Sequence, residues 1–302
     1  MDMAKIRKLN RYGAFDIVDI ILLAILAFVA FYPFWNVFMI SFNDPTDTLN
    51  GGITLWFRKF TIQNYRHIFN QSVFLKALLI SVSRTVIGAV TSVIFTAAFS
   101  YGLSKKWLIG QKLFLTLLII TMYVGGGLIP TFLNIKNLGL YQNYLVYILP
   151  ALLNSYNVII MITYFKGLPA ELEESVRIDG GNDLVIFFRI VLPVSMPVVA
   201  TIALFNAVGQ WNSWFDTMLY GGRKLMTLQM FLVELIQDAN QVRKLMSSGS
   251  TLAASLAKLG YKPNVESIKA TAMMITAIPI IMVYPFLQKY FVKGIMIGSL
   301  KG

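Results

Sequence analysis

The stretches 20–35, 86–99 and 273–286 of this chain hold no charged side chain at all. A soluble domain has no core large enough to hide such runs, whereas about 20 apolar residues in a helix match the ~30 Å of bilayer hydrocarbon. Composition agrees. Hydrophobic residues make up 57% of the 302 positions and charged residues 13%, against roughly 25% charged in ordinary soluble domains. The pattern predicts an all-α, polytopic membrane protein with about six spanning helices. They fall near 19–42, 74–103, 113–135, 144–165, 185–215 and 270–291. The fifth holds Arg189, Pro193 and Pro197, so its first part is expected at the interface and its crossing from near Val194. The chain thus divides into a segment 1–18, a membrane domain 19–292 and a tail 293–302.

The net charge of +12 does not point to nucleic acid. Lys and Arg lie between the apolar runs rather than on one face, as basic loops beside a bilayer do, and no nucleic-acid motif is present. Lys5, Arg7, Lys8 and Arg11 precede the first apolar run. That run is too long for a signal-peptide core and lacks a small-residue cleavage site, so it is expected to be a retained anchor. The basic cluster, with Lys105, Lys106 and Lys112 in a short loop, predicts both termini on the cytoplasmic side. The long segments 43–73 and 217–269 then face outward, and the second carries a Ser/Gly-rich tip at 247–251 expected to be flexible. Loops of this length are often functional; a solvated connector is the alternative. The chain has no Cys, which excludes disulfides and thiolate chemistry, and His67 is its only histidine, too few ligands for a zinc site.

The 167–193 segment differs from the other loops. Pro169 suits a first helical position. Glu171, Glu173 and Glu174 face the positive end of a helix dipole, and Leu172 and Val176 share a face. Asp179, Gly180 and Gly181 stop the helix, since glycine takes the left-handed conformation a C-cap wants. Asn182 is placed to cap the next helix. So short a helix is unstable alone in water. It must dock on the membrane surface, its own bundle or another protein. Beyond it, Pro193 and Pro197 remove backbone donors and force a kink through which the chain can turn into the bilayer.

These residues resemble the cytoplasmic signature of binding-protein-dependent ABC importer permeases: Glu-Ala-Ala, then Asp-Gly, then Leu-Pro about a dozen residues later. Glu174-Ser175-Val176 stands at the Glu-Ala-Ala, with Asp179-Gly180 and Leu192-Pro193 in register. Phe187, Ile190 and Pro197 fall where the pattern places Phe, Ile and Pro. Ser175 and Val176 depart from the two alanines, and Gly181 stands where Ala is usual. The Gly-rich tail 294–302, ending in Lys-Gly, resembles the MalG-type carbohydrate permeases. The stretches 125–131 and 209–215 resemble the LplC/YtcP-like branch, whose members are associated with oligosaccharides and polysaccharide fragments. The resemblance implies a type I importer permease whose short helix is a coupling helix seated in a cleft of an ATPase. Glu171, Leu172, Glu174, Ser175, Val176, Asp179, Gly180, Gly181, Leu192 and Pro193 then form the coupling surface, with Glu174 and Gly180 at the characteristic interface positions. The implied partners are a second homologous permease subunit, a dimer of ATPase subunits, an extracellular solute-binding protein and the lipid of a bacterial plasma membrane. The outward 217–269 segment is the expected contact for the binding protein.

The phosphate-binding run Gly-x-x-x-x-Gly-Lys-Ser/Thr is missing. No cofactor is expected in this chain; ATP and Mg belong to the separate ATPase, and the chain itself does no bond-breaking chemistry. Asn154, Asn157, Asn206, Gln210, Trp211 and Asn212 lie in or near the fourth and fifth spans. They either line a translocation pathway, with tryptophans stacking on sugar faces, or tie helices together with the tryptophans as interface anchors. The second reading is the simpler. Arg84 lies inside the second span with no partner visible in the sequence, left to snorkel, pair within a complex or line the pathway. The glycines at 125–127 with Pro130 signal a break or close packing in the third span, packing being the commoner cause. The expected function is import of oligosaccharides or polysaccharide fragments, with a permease for a non-sugar solute as the alternative. A stand-alone secondary transporter needs ionisable groups at membrane depth, which the spans nearly lack. A membrane-embedded enzyme needs convergent carboxylates, a metal site or a nucleophile–base pair.

Overall fold

The computed structural model describes residues 13–247 and 264–299. They are mainly helical, and the β structure among them is an isolated bridge between Asn43 and Phe60. The principal helices are α1 (Ala14–Ser41), α2 (Gln63–Phe69), α3 (Phe74–Ser104), α4 (Gln111–Tyr123), α5 (Leu128–Asn137), α6 (Ser155–Lys166), α7 (Glu171–Ile178), α8 (Met196–Asn212), α9 (Leu228–Ser247) and α10 (Val265–Ser299). The chain forms two compact units, 1–68 with 236–275 and 69–235 with 276–302.

Among the described residues α1, α3 and α10 are long and apolar enough to cross a bilayer. The fourth and fifth expected crossings are bent pairs: Tyr144–Ala151 with α6 at 46°, and Asp183–Val194 with α8 at 81°. Three crossings, or five when each bent pair crosses once, stand where about six were expected. The difference lies in the third. Its helix α4 has 13 residues and reaches only about 20 Å at 1.5 Å per residue. The chain then leaves helical geometry over Val124 to Gly127 before α5 begins. A side chain at Gly125 or Gly126 would meet nothing within 4 Å, and Gly127 has φ +81°. Of the two readings of these glycines, a break or close packing, the break stands here.

In the first unit, the apolar side chains of α1 from Phe15 to Phe34 are exposed around the helix. An apolar surface on every face calls for lipid as solvent. The 43–68 segment folds back on the end of α1 around Asn43, which is fully buried. Its Nδ2 donates to Asp44 O, Asp47 Oδ2 and Thr48 Oγ1, and its Oδ1 accepts from the N–H groups of Arg58 and Lys59. Trp35 Nε1 and Asn36 Nδ2 donate to the carbonyls of Leu55, Ile53 and Thr54. Asn264 donates to Pro45 O. This segment is a built cap rather than an open connector.

The second unit is organised on α3. Ala77, Ser81, Gly88, Ser92, Thr96 and Ser100 recur at helical spacing on its buried face, with Arg84 among them; the small residues are of the kind that lets membrane helices approach closely. Ser92 Oγ donates to Leu152 O at 3.0 Å and Ser100 Oγ to Val158 O at 3.2 Å. A Cβ at Gly88 would lie 2.9 Å from Gln210 Nε2, so α3 and α8 meet there in near contact. The 217–269 segment is not a plain connector either. Met226, Leu228, Met230 and Phe231 are buried at the start of α9, and Leu228 N–H donates to Ser81 Oγ at 2.8 Å. Of the flexible tip expected at 247–251, all but Ser247 lies outside the described residues, as do Lys5, Arg7, Lys8 and Arg11. Helix α10 runs on to Ser299, through most of the expected tail.

Candidate functional site

Helix α7 ends as its sequence dictates. Gly181 N–H donates to Val176 O at 2.8 Å and Gly180 N–H to Arg177 O at 3.0 Å, with Gly180 at φ +79°. This pair of bonds is a Schellman stop, and it satisfies carbonyls that the last turn leaves unpaired. Asn182 then caps the following turn, its Oδ1 accepting from Val185 N–H at 3.0 Å. At the other end the cap residue is Ala170, so Pro169 precedes the helix rather than opening it.

The helix turns one edge to its own bundle. Val176, with Leu168 and Leu192, packs on a buried cluster that includes Ala97, Tyr101, Phe165, Phe187 and Ile202. Leu172 is half-buried. The other edge is open: Glu171, Glu174, Ser175, Asp179 and Gly180 are exposed, as is Pro193 beyond them. Ile178 is 85% exposed and Leu184 67%. Of the residues expected to couple, Val176 and Leu192 thus face the bundle, because a helix this short borrows its stability from packing.

Charged groups fix the same edge. Both oxygens of Glu173 accept from Lys105 Nζ, and that ammonium stands 4.1 Å from the centre of the Tyr101 ring. Arg177 donates to Asp183 Oδ1 at 3.0 Å and lies 3.8 Å from Glu173. The Asp183 carboxylate pushes the Arg177 guanidinium above its ordinary range. Glu173 was not among the expected coupling residues. The sequence signal is the Lys105 loop, whose cations suit a carboxylate partner as well as the bilayer surface.

A cavity of about 600 Å³ opens among α3, α5, α6 and α8. Asn154, Asn157, Asn206 and Gln210, named as either pathway-lining or helix-tying residues, line it together with Tyr156, Ser213 and Asp216. Asn154 Oδ1 also caps α6 through Asn157 N–H at 3.2 Å, and Asn206 Nδ2 donates to Ile202 O at 3.0 Å. Trp211 and Asn212 are not among the residues lining this cavity. Trp211 is buried, donates to Thr276 O at 3.0 Å and borders a separate apolar cavity of about 220 Å³. Asn212 is exposed.

Arg84 is partnered, contrary to its solitary place in the sequence. Its Nη2 donates to Asp216 Oδ2 at 2.6 Å and its Nη1 to Asp216 Oδ1 at 3.2 Å. Gln210 Oε1 accepts from Nε at 2.9 Å and Nη2 at 2.7 Å, and Gln210 Nε2 donates to Tyr147 O at 2.8 Å. The guanidinium lies 4.1 Å from the centre of the Tyr147 ring. Arg84 is 2% exposed and Asp216 26%. A buried cation demands such a counter-ion. Asp216 falls just past the expected end of the fifth span, so the sequence alone does not place it beside Arg84.

No family model matches the chain. It is 41% identical over 244 residues to a Bacillus subtilis (strain 168) protein named polygalacturonan/rhamnogalacturonan transport system permease protein YtcP, matching 80% of this chain and 82% of that protein. It is 40% identical over 248 residues to protein LplC of the same organism, covering 81% of this chain and 80% of that one. Its fold is similar to a chain in the crystal structure of a bacterial ABC transporter involved in the import of the acidic polysaccharide alginate. That likeness has a TM-score of 0.79 at 32% identity and covers 93% of this chain and 99% of the other.

Proposed function

The chain belongs to the sugar ABC transporter permeases, and we propose that it is the membrane-spanning subunit of an ATP-driven, binding-protein-dependent importer of acidic polysaccharide fragments. The observation that carries this reading is α7: one edge is held by the bundle, and the opposite edge, with Glu171, Glu174, Ser175 and Gly180, is open to a partner. A pre-docked helix costs its partner no folding entropy on binding.

Helix α7 seats in a dimeric ATPase on the cytoplasmic side, where both termini also lie. ATP and Mg are held by that ATPase; this chain carries out no bond-breaking step. A second, homologous permease subunit completes the passage, and an extracellular solute-binding protein docks on the outward segments. ATP binding draws the ATPases together and displaces α7, the bundle opens outward, and hydrolysis resets it. The cavity is this subunit's share of the passage. Its volume, about 600 Å³, falls in the range of about 300–1,000 Å³ typical of small-ligand sites. Its amides and hydroxyls suit a sugar chain, while its one basic lining residue, Arg84, is neutralised by Asp216. The acidic substrate class is supported by what the similar proteins handle: polygalacturonan and rhamnogalacturonan for one, alginate for the other.

Uptake tests the substrate class. Vesicles bearing the full complex are given labelled oligogalacturonides, alginate oligomers or neutral arabino-oligosaccharides, each with binding protein and internal ATP. ATP-dependent accumulation of a uronate-containing oligomer is expected. Accumulation of the neutral oligomers alone would overturn the acidic assignment.

A further inference from the structure

On the basis of that permease reading, we propose that the Lys105–Glu173 pair is a tether that stays closed through the transport cycle and makes α3 the rod carrying ATPase motion to the cavity. The covalent routes out of α7 are poorly suited to transmit a push. Toward α6 the chain passes through Gly167, Leu168 and Pro169, none of them in regular helix. Toward α8 it passes through Gly180 and Gly181 and then an 81° bend. Each is a place where displacement is absorbed by backbone rotation.

The non-covalent route has no such break. Lys105 is the C-cap residue of α3, and its ammonium is held on one side by both Glu173 oxygens and on the other by the Tyr101 ring. Tyr101 is itself wedged against Phe165 and Phe187. Lys105 and Glu173 are 12% and 19% exposed, so water screens the pair only partly. From this end α3 runs as one helix of 31 residues back to Phe74, with no proline inside it. Arg84, at the cavity wall, sits on the same helix about 30 Å from Lys105 at 1.5 Å per residue. A displacement of α7 therefore reaches the Arg84–Asp216–Gln210 cluster through one stiff element. Lys105 is a positioning residue: it touches neither sugar nor nucleotide.

The test uses the full complex of both permeases, ATPases and binding protein in lipid vesicles. It reads sugar accumulated per ATP hydrolysed, with subunit ratios measured in parallel. If the native complex shows no hydrolysis stimulated by loaded binding protein, the permease reading falls. If it does, the variants decide the tether. Lys105→Met is expected to lower sugar per ATP by about five-fold or more with assembly intact, while Lys105→Arg, which keeps the cation between carboxylate and ring, stays within about two-fold of native. The chain has no cysteine, so Lys105→Cys with Glu173→Cys can be joined by a short bismaleimide with no competing thiol in this subunit. The joined complex is expected to transport at close to the native ratio, and this arm stands even if Lys105→Met fails to assemble. An unchanged ratio in Lys105→Met, or loss of transport on joining the two positions, overturns the tether.

Discussion

At Gly181 an added methyl group would lie 2.4 Å from Val176 Cγ1 and 2.9 Å from Val176 O. Position 176 can therefore hold a branched side chain only because 181 holds none. The family signature has alanine at both places; here bulk has moved from one to the other. Gly181→Ala is expected to destabilise the protein by about 1–3 kcal/mol, the usual cost of overpacking, read as a lowered thermal midpoint. Val176→Ala in the same chain should return part of the loss, since it removes the clash with Cγ1 but not with the carbonyl. The absence of any recovery would contradict the pairing. At the cavity, Asp216→Ala leaves a buried guanidinium with Gln210 as its remaining side-chain hydrogen-bond partner and the Tyr147 ring beside it, at an expected cost of about 3 kcal/mol. Arg84→Met with Asp216→Leu should cost much less than Asp216→Ala alone, because no charge is then stranded. Denaturation midpoints in detergent distinguish this from simple addition of two losses.

Among the elements, the cap built on Asn43 carries a pH prediction. A hydrogen bond from the Thr46 hydroxyl holds Asp44 below the ordinary aspartate range. A hydrogen bond from Asn43, then one from Arg58, does the same for Asp47. Depressed carboxyl values mean that the stabilisation is fully present above the ordinary aspartate value and is lost as pH falls through the lowered ones. Fluorescence from Trp35 and Trp56, which border the cap, should stay flat from pH 7 to about 5 and change only below about 4. A transition near pH 6 would mean that another group governs this element. The third expected span shows what hydropathy alone misses. It carries no charge from Leu113 to Val124, but the helix ends at Tyr123 with Val124 already extended and Gly127 at φ +81° beyond it, and no count of apolar side chains reports a backbone angle.

Across the molecule, what could be read in advance followed from local chemistry. The Gly180–Gly181 stop, the Asn182 cap and the kink near Pro193 each need only a few neighbouring residues, and each stands in the structure. The partners of Arg84 and Glu173 lie 132 and 68 positions away in the chain. No periodicity links such pairs, so only the fold reveals them. The same holds for the division of the polar residues, in which Asn206 and Gln210 line the cavity and Trp211 does not: they lie within about two turns of α8, and the direction each side chain takes is set by what packs on it. The central claim, that α7 receives the motion of an ATPase, is tested most directly by ATP hydrolysis in the reconstituted complex, with and without sugar-loaded binding protein. The native chain should support stimulated hydrolysis, and Glu174→Ala with Gly180→Pro should abolish the stimulation while the subunits still co-purify. Stimulation that survives both substitutions would contradict the account.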